Sequence, residues 1–157
     1  MKRRVEVEHW LRCLNKTHTV LLDLGLDPGL PIITLYPGDT EFYLEPEPGV
    51  SYKFDAETKV MKAVIVTVIK RVEFEPVFSD LLSEPYSCPT QRSVRDVWGS
   101  PVRSRGPVAL PHPIGKTGGW DAYGLASKGF ADIELMYQYT AELQTSAIIL
   151  RTKEHEA

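Results

Sequence analysis

Tyr52-Lys53-Phe54-Asp55-Ala56-Glu57 is matched 85 positions later by Tyr137-Gln138-Tyr139-Thr140-Ala141-Glu142, and this match decides how the chain is read. One residue of slippage further on, Ala63-Val64-Ile65-Val66 matches Ala147-Ile148-Ile149-Leu150 at an offset of 84. The same offset applied upstream lays Trp10, Cys13, Leu14 and Asn15 over Val94, Val97, Trp98 and Gly99, in two segments of helical spacing. Blocks that recur in one order and one register predict an internal duplication.

Each half then reads as a helix followed by a three-stranded meander. In the first, residues 6–14 place Trp10, Cys13 and Leu14 at helical spacing, and Val20, Leu21 and Leu24 continue the apolar face to Gly25, with Asp27-Pro28-Gly29 as terminator. Strands are predicted over 41–44, 50–55 and 60–69, separated by Pro46-Glu47-Pro48-Gly49 and Ala56-Glu57-Thr58-Lys59. The third is nearly all apolar, as a central strand covered on both faces would be. In the second half Ser93 caps a short helix that runs to Trp98 and stops at Gly99 and Pro101. Strands follow at 120–125, 132–139 and 145–152. The expected fold is therefore α+β: two tandem α-β-β-β repeats, about 1–72 and 91–153, joined by a Pro- and acid-rich crossover over 73–90. The helices would pack on one face of antiparallel sheet, in two lobes or in one fused sheet. Fusion is favoured, because a lobe of such size buries only about 60% of its unfolded surface and is marginal alone.

The chain has 157 residues, 43% of them hydrophobic and 25% charged, the composition of a soluble globular protein. Eighteen bases against 21 acids argue against coating of nucleic acid and for a basic partner. Lys2, Arg3 and Arg4 open the chain as a signal peptide might, but Glu6, Glu8, His9 and Arg12 interrupt any apolar run, and Arg12 stands before Cys13 where a lipoprotein needs a small residue. The longest apolar run, 63–69, is far below the ~20 residues of a membrane span. A cytoplasmic protein with two reduced thiols, Cys13 and Cys88, is expected.

Signals of chemistry are weak. Gly115-Lys116-Thr117 lacks the glycine that a phosphate loop needs five positions earlier, where Leu110 stands, and Gly118 and Gly119 instead suit a turn into a strand. His9, His18, His112 and His155 have no metal-ligand spacing. No nucleophile motif accompanies the serines or cysteines. No catalytic residue, metal or cofactor is assigned. A hydrolase would need several carboxylates to converge in a pocket that raises their pKa values.

The acids are unevenly placed. Asp39, Glu41, Glu45, Glu47, Asp55 and Glu57 lie within 19 residues against a single Lys53, a local charge of minus five. With Tyr43, Tyr52 and Phe54 among them, they suit a basic protein surface, charge steering the encounter and aromatics anchoring it. A solvated sheet face with its aromatics buried is the plainer alternative. The long stretch over 103–120, basic through Arg103, Arg105 and Lys116, is a second candidate surface, or else packing around Trp120 and Tyr123. Were Trp120 a core residue, its truncation to alanine would cost roughly 3 to 5 kcal/mol.

Leu44-Glu45-Pro46-Glu47-Pro48-Gly49-Val50, the turn Phe54-Asp55-Ala56-Glu57-Thr58-Lys59, and Val94-Arg95-Asp96-Val97-Trp98-Gly99-Ser100-Pro101 carry a resemblance, together with Gly106-Pro107-Val108, Pro113-Ile114-Gly115-Lys116-Thr117-Gly118-Gly119-Trp120-Asp121 and Tyr137-Gln138-Tyr139-Thr140. Across nearly the whole chain it resembles a bacterial family encoded beside S-type pyocins and labelled pyocin immunity protein. Each half, a short helix ending in Gly-x-Pro and a meander ending in a Tyr-x-Ala-Glu-like turn, is more distantly similar to the small BamE/SmpA-type lipoprotein domain. The resemblance implies a non-catalytic protein that neutralises a bacteriocin's cytotoxic domain in the producer's cytoplasm. Nuclease domains that grip phosphate backbones are basic, so an acidic inhibitor is their complement. Asp39, Glu41, Tyr43, Glu45, Glu47, Tyr52, Asp55 and Glu57 are the expected contacts. A cytoplasmic adaptor or chaperone holding an extended secreted client at a sheet edge is the alternative.

Overall fold

The computed structural model describes residues 3–23, 25, 32–34 and 37–153. In chain order these form β1 (Arg4–Val5), α1 (Val7–Cys13), α2 (His18–Asp23), β2 (Glu41–Glu47), β3 (Val50–Asp55), β4 (Met61–Thr67) and β5 (Leu81–Leu82). After them come α3 (Gln91–Trp98), β6 (Arg103–Arg105), β7 (Val108–Ala109), β8 (Lys116–Leu125), β9 (Phe130–Thr140) and β10 (Thr145–Thr152). The two meanders, β2–β3–β4 and β8–β9–β10, meet through their last strands in one eight-stranded antiparallel sheet of order β2-β3-β4-β10-β9-β8-β6, with β7 also on β8. The fold is α+β, and both halves of the chain share this sheet. The seam pairs Ile65 with Ile149 and is flanked by Val64–Leu150 and Val66–Ile148.

Period-two alternation sends one set of side chains to the helices. Phe42, Leu44, Phe54, Val64, Val66, Leu135, Tyr137, Tyr139, Ile148 and Leu150 join Val7, Trp10 and Leu11 of α1 and Val94 of α3 in a single buried cluster. The opposite face carries rows fixed by the register. One runs Gly124, Glu134, Arg151, Ala63, Lys53, Tyr43, and the next runs Ala122, Met136, Ile149, Ile65, Ser51. β4 is therefore central, as its apolar sequence predicts, but the helices cover one of its faces only, and Ile65 on the other is half-buried.

Other differences have local causes. The helix predicted over 6–14 and onward breaks at Asn15, whose backbone turns left-handed at φ 69°, and Thr17 bridges Val60, so α2 is a separate helix. Its predicted end at Leu24 and Asp27-Pro28-Gly29 lies outside the described residues, as does His155. Thr90, not Ser93, caps α3: Ser93 is the reciprocal partner, its backbone N–H donating to Thr90 Oγ1 at 3.1 Å while the Thr90 N–H donates to Ser93 Oγ at 3.0 Å. The segment 73–90 is more than a connector. β5 pairs in parallel with β1, and Phe78, Leu82, Tyr86 and Cys88 are buried in the core. Gly49, in the β2–β3 turn at φ 81°, has no room for a Cβ, which would strike the backbone of Phe78. Cys13 and Cys88 are both free and buried, and burial pushes both thiols up.

Candidate partner-binding surface

The alternation that builds β2 divides the acidic hairpin between two faces. Phe42 and Leu44 point into the core, so Glu41, Tyr43 and Glu45 take the face away from the helices, beside Lys53 and Asp55 of β3. Tyr52 is on the other side. It packs against the core, and its hydroxyl accepts a hydrogen bond from Trp10 Nε1 at 3.1 Å, so it supports α1 and is not part of the same surface as Tyr43.

The charges are also partly spent within the protein. Lys53 Nζ reaches Glu41 at 3.0 Å, and the Tyr43 hydroxyl donates to the same carboxylate at 3.4 Å. Glu47 accepts from Arg3 at 2.6 Å, and Arg3 also reaches Asp80. Asp39 accepts the Glu41 backbone N–H at 3.1 Å, which fixes the entry to β2. Asp55 caps its own turn. The Thr58 backbone N–H foremost, aided by that of Glu57, holds its carboxyl below the usual carboxylate range. Glu57 is exposed in that turn, and Glu45 makes no side-chain hydrogen bond or ion pair among the described residues.

What gathers is therefore a narrower set than the eight expected residues. Glu41, Tyr43 and Glu45 share one face, and next to them the hairpin tip borders a cavity of about 600 Å³. Its charged lining is Glu45, Glu47 and Glu75, three carboxylates and no base. Glu75, beyond the acidic hairpin in sequence, was not among the expected contacts. It arrives because the segment after β4 folds back along the hairpin, with the Phe78 N–H donating to Thr67 O at 2.7 Å, and nothing in local spacing announces that return.

The far side of the same face is differently charged. Glu134 accepts from Arg103 at 2.6 Å and from both Arg151 Nε and Nη2, at 3.0 and 2.6 Å. Burial would raise its carboxyl, but the two guanidiniums outweigh it and hold Glu134 below the usual range. The Arg103 guanidinium also lies 5.7 Å from the centre of the Trp120 ring. Trp120 is half-buried on the uncovered face and is not the core residue considered above. Gly118 and Gly119 sit inside β8 at a register shift, with Arg105 O crowding Gly119. Among the described residues no group of three or more His, Cys, Asp or Glu could hold a metal ion, and no helix is long and apolar enough to cross a membrane.

No family model and no curated protein matches this chain. Among solved structures it is similar to a DUF4309 family protein, YjgB, from Bacillus subtilis subsp. subtilis str. 168, at 13% identity over 89% of this chain and 81% of that one, with a TM-score of 0.49.

Proposed function

We propose that this chain is a non-catalytic bacteriocin immunity protein of the S-type pyocin kind, binding a basic cytotoxic domain, a nuclease foremost, in the producer's cytoplasm. The observation that carries the reading is the acidic corner of the uncovered face, where Glu41, Tyr43 and Glu45 lie along one strand and Glu45 also lines a cavity whose charged residues, Glu45, Glu47 and Glu75, are all carboxylates. Negative charge of this kind accelerates encounter with a basic surface, and Tyr43 offers an aromatic contact at its centre. The face is a better candidate than the edge of β2. Ile33 already exchanges two backbone hydrogen bonds with Tyr43, at 2.9 and 2.8 Å, and Pro46 blunts the strand, which disfavours the adaptor reading by strand addition.

We further infer that the scaffold arose by duplication of an α-β-β-β unit. Support comes from the strand order, which is mirrored about the β4–β10 seam, and from the pairing there of Ile65 with Ile149, residues that the offset of 84 also equates. Trp10 donates to Tyr52 and Trp98 to Tyr137, each at 3.1 Å, and the two tyrosines are equated by the offset of 85.

Calorimetric titration with the purified cytotoxic domain of the bacteriocin encoded beside the gene tests the function, read together with protection of a sensitive strain. Tight one-to-one binding with protection is expected, weakening steeply as salt is raised. Glu41→Lys, Glu45→Lys and Glu47→Lys combined should slow association at least tenfold and leave the protein folded, at a cost of about 1 kcal/mol for each of the partly exposed ion pairs that Glu41 and Glu47 give up to Lys53 and Arg3. Absence of binding and of protection would discard the reading.

A further inference from the structure

Beside the acidic corner, across the segment that follows β4, the uncovered face holds a second cavity of about 430 Å³ with the opposite charge. Lys70 and Arg71 line one side of it, Arg105 and Lys116 another, and Trp120 and Gln138, a cross-strand pair of β8 and β9, line it from the sheet. Val108, Leu110 and Ile114, from the excursion between β6 and β8, add an aliphatic wall. A single carboxylate, Glu142, stands against the four bases.

Few of these groups are committed elsewhere. Arg71 pairs with Glu75 at 3.3 Å, and Lys70 Nζ donates to the Glu73 carbonyl at 3.3 Å. The side chains of Arg105, Lys116 and Gln138 make no hydrogen bond or ion pair among the described residues, and neither does the Trp120 indole N–H. Three of these four are donors alone, and Gln138 can donate as well. Arg103, which does not line the cavity, lies over the Trp120 ring and is itself tied to Glu134, so the indole is held in place from outside the cavity.

We propose that this cavity is a binding site for a small organic anion, a phosphate or carboxylate joined to a flat apolar body. Arg105 and Lys116 take the charge, and Trp120 with the aliphatic wall takes the body. The volume fits within the roughly 300 to 1,000 Å³ of small-molecule sites, which combine apolar walls with a few convergent polar groups. An excess of unpaired donors next to an indole recognises negative charge and a ring together, which a solvated basic patch does not. The site is separate from the acidic corner proposed to meet a basic protein, and a basic partner would be repelled from it.

The test is titration of the full chain with phenyl phosphate at low salt, following the Trp120 indole N–H resonance, which Trp120→Phe identifies by its disappearance. Phenylacetate, inorganic phosphate and phenol serve as comparisons. Saturable shifts of the Trp120 resonance with phenyl phosphate and phenylacetate are expected, with inorganic phosphate at least tenfold weaker and phenol without saturation. Arg105→Ala with Lys116→Ala should weaken phenyl phosphate at least tenfold, and Glu142→Gln should tighten it. These side chains are exposed, so unchanged thermal unfolding of each variant confirms an intact fold. No saturation by roughly 10 mM, or binding that survives the double substitution in a folded protein, would overturn the proposal. Inorganic phosphate binding as tightly as phenyl phosphate would overturn the role given to Trp120.

Discussion

The two halves hold a helix against the same sheet by different means. α1 buries Val7, Trp10, Leu11 and Cys13, and among the described residues its side chains make one hydrogen bond to the strands, from Trp10 to Tyr52. Behind it Phe42 and Phe54 stack with ring centres 4.9 Å apart, and His18 meets both edge-on. α3, written Gln-Arg-Ser-Val-Arg-Asp-Val-Trp, fully buries Val94 alone and is fastened by polar groups. Arg95 grips Asp121 with Nε and Nη2, both at 3.0 Å, and the Tyr139 hydroxyl donates to Asp121 at 2.8 Å. Trp98 donates to the Tyr137 hydroxyl, which in turn donates to the Tyr86 carbonyl at 2.9 Å, while Tyr123 donates to Gly99 O at the helix end. Burial, with the adjacent Asp121 carboxylate second, pushes the Tyr123 phenol up to about 12, so these hydroxyls remain donors across the physiological range. A helix with little apolar surface is held by direction-specific bonds instead of by area, and such bonds fail sharply when one partner is lost.

Arg95→Ala should therefore have the largest effect. It leaves Asp121, fully buried, without its cation, and roughly 3 kcal/mol of stability should be lost, measured by urea unfolding. Adding Asp121→Leu should recover much of that loss, because the cost is that of a stranded charge. If Arg95→Ala cost no more than an exposed ion pair, the contrast between the halves would collapse.

The paired tyrosines sharpen the same contrast. Tyr137→Phe removes a fully buried hydroxyl that joins the partly buried Trp98 indole to the Tyr86 carbonyl and should cost about 2 kcal/mol, whereas Tyr52→Phe, at a half-buried site where the hydroxyl accepts from Trp10, should cost about 1 kcal/mol. Equal values in thermal and urea unfolding would show that the second half gains nothing from its longer chain of bonds.

On the uncovered face, Glu134 gives a smaller effect that depends on pH. Its folded carboxyl lies below the usual range, so its contribution is complete above the unfolded value and disappears as pH falls through the folded one. Between about pH 6 and pH 3 the wild type should therefore lose more stability than Glu134→Gln, in which the step is absent. Parallel acid limbs for the two proteins would mean that Arg103 and Arg151 add nothing by enclosing it.

Strand positions were legible in the sequence because both signals there are local. Alternation in residues 41–45 marks a buried and a more exposed face, and the offsets of 84 and 85 between the meanders align with β4 against β10 and β3 against part of β9. What was hidden depends on contact between distant residues. β1 with β5, two residues each, has no periodicity to detect, and the burial of Tyr86 and Cys88 follows from where the chain crosses, not from its Pro-rich composition. The acidic run was visible as charge, but its division between faces was not. Tyr52 falls with the core because it is in register with Leu44, and Glu75 joins the cavity from a separate segment. Trp120 misleads for a related reason, since an aromatic residue in a strand reads as core until its register partner, Gln138, identifies the face.

Trp120→Ala is accordingly a mild change to the fold. A core tryptophan would cost roughly 3 to 5 kcal/mol on truncation, but this one is half-buried on the uncovered face, with the Arg103 guanidinium 5.7 Å from the ring centre. Losing that contact and part of the ring's burial should cost about 1 kcal/mol. Arg103 keeps its bond to Glu134, so the sheet beneath should stay in register. Amide exchange gives the sharper reading. Protection in β9 and β10 should be unchanged in Trp120→Ala, whereas Tyr137→Phe, one strand away and on the core side, should lower it along both strands. A global loss of protection in Trp120→Ala would mean that the uncovered face, and not the helix-bearing one, carries much of the stability of the second half.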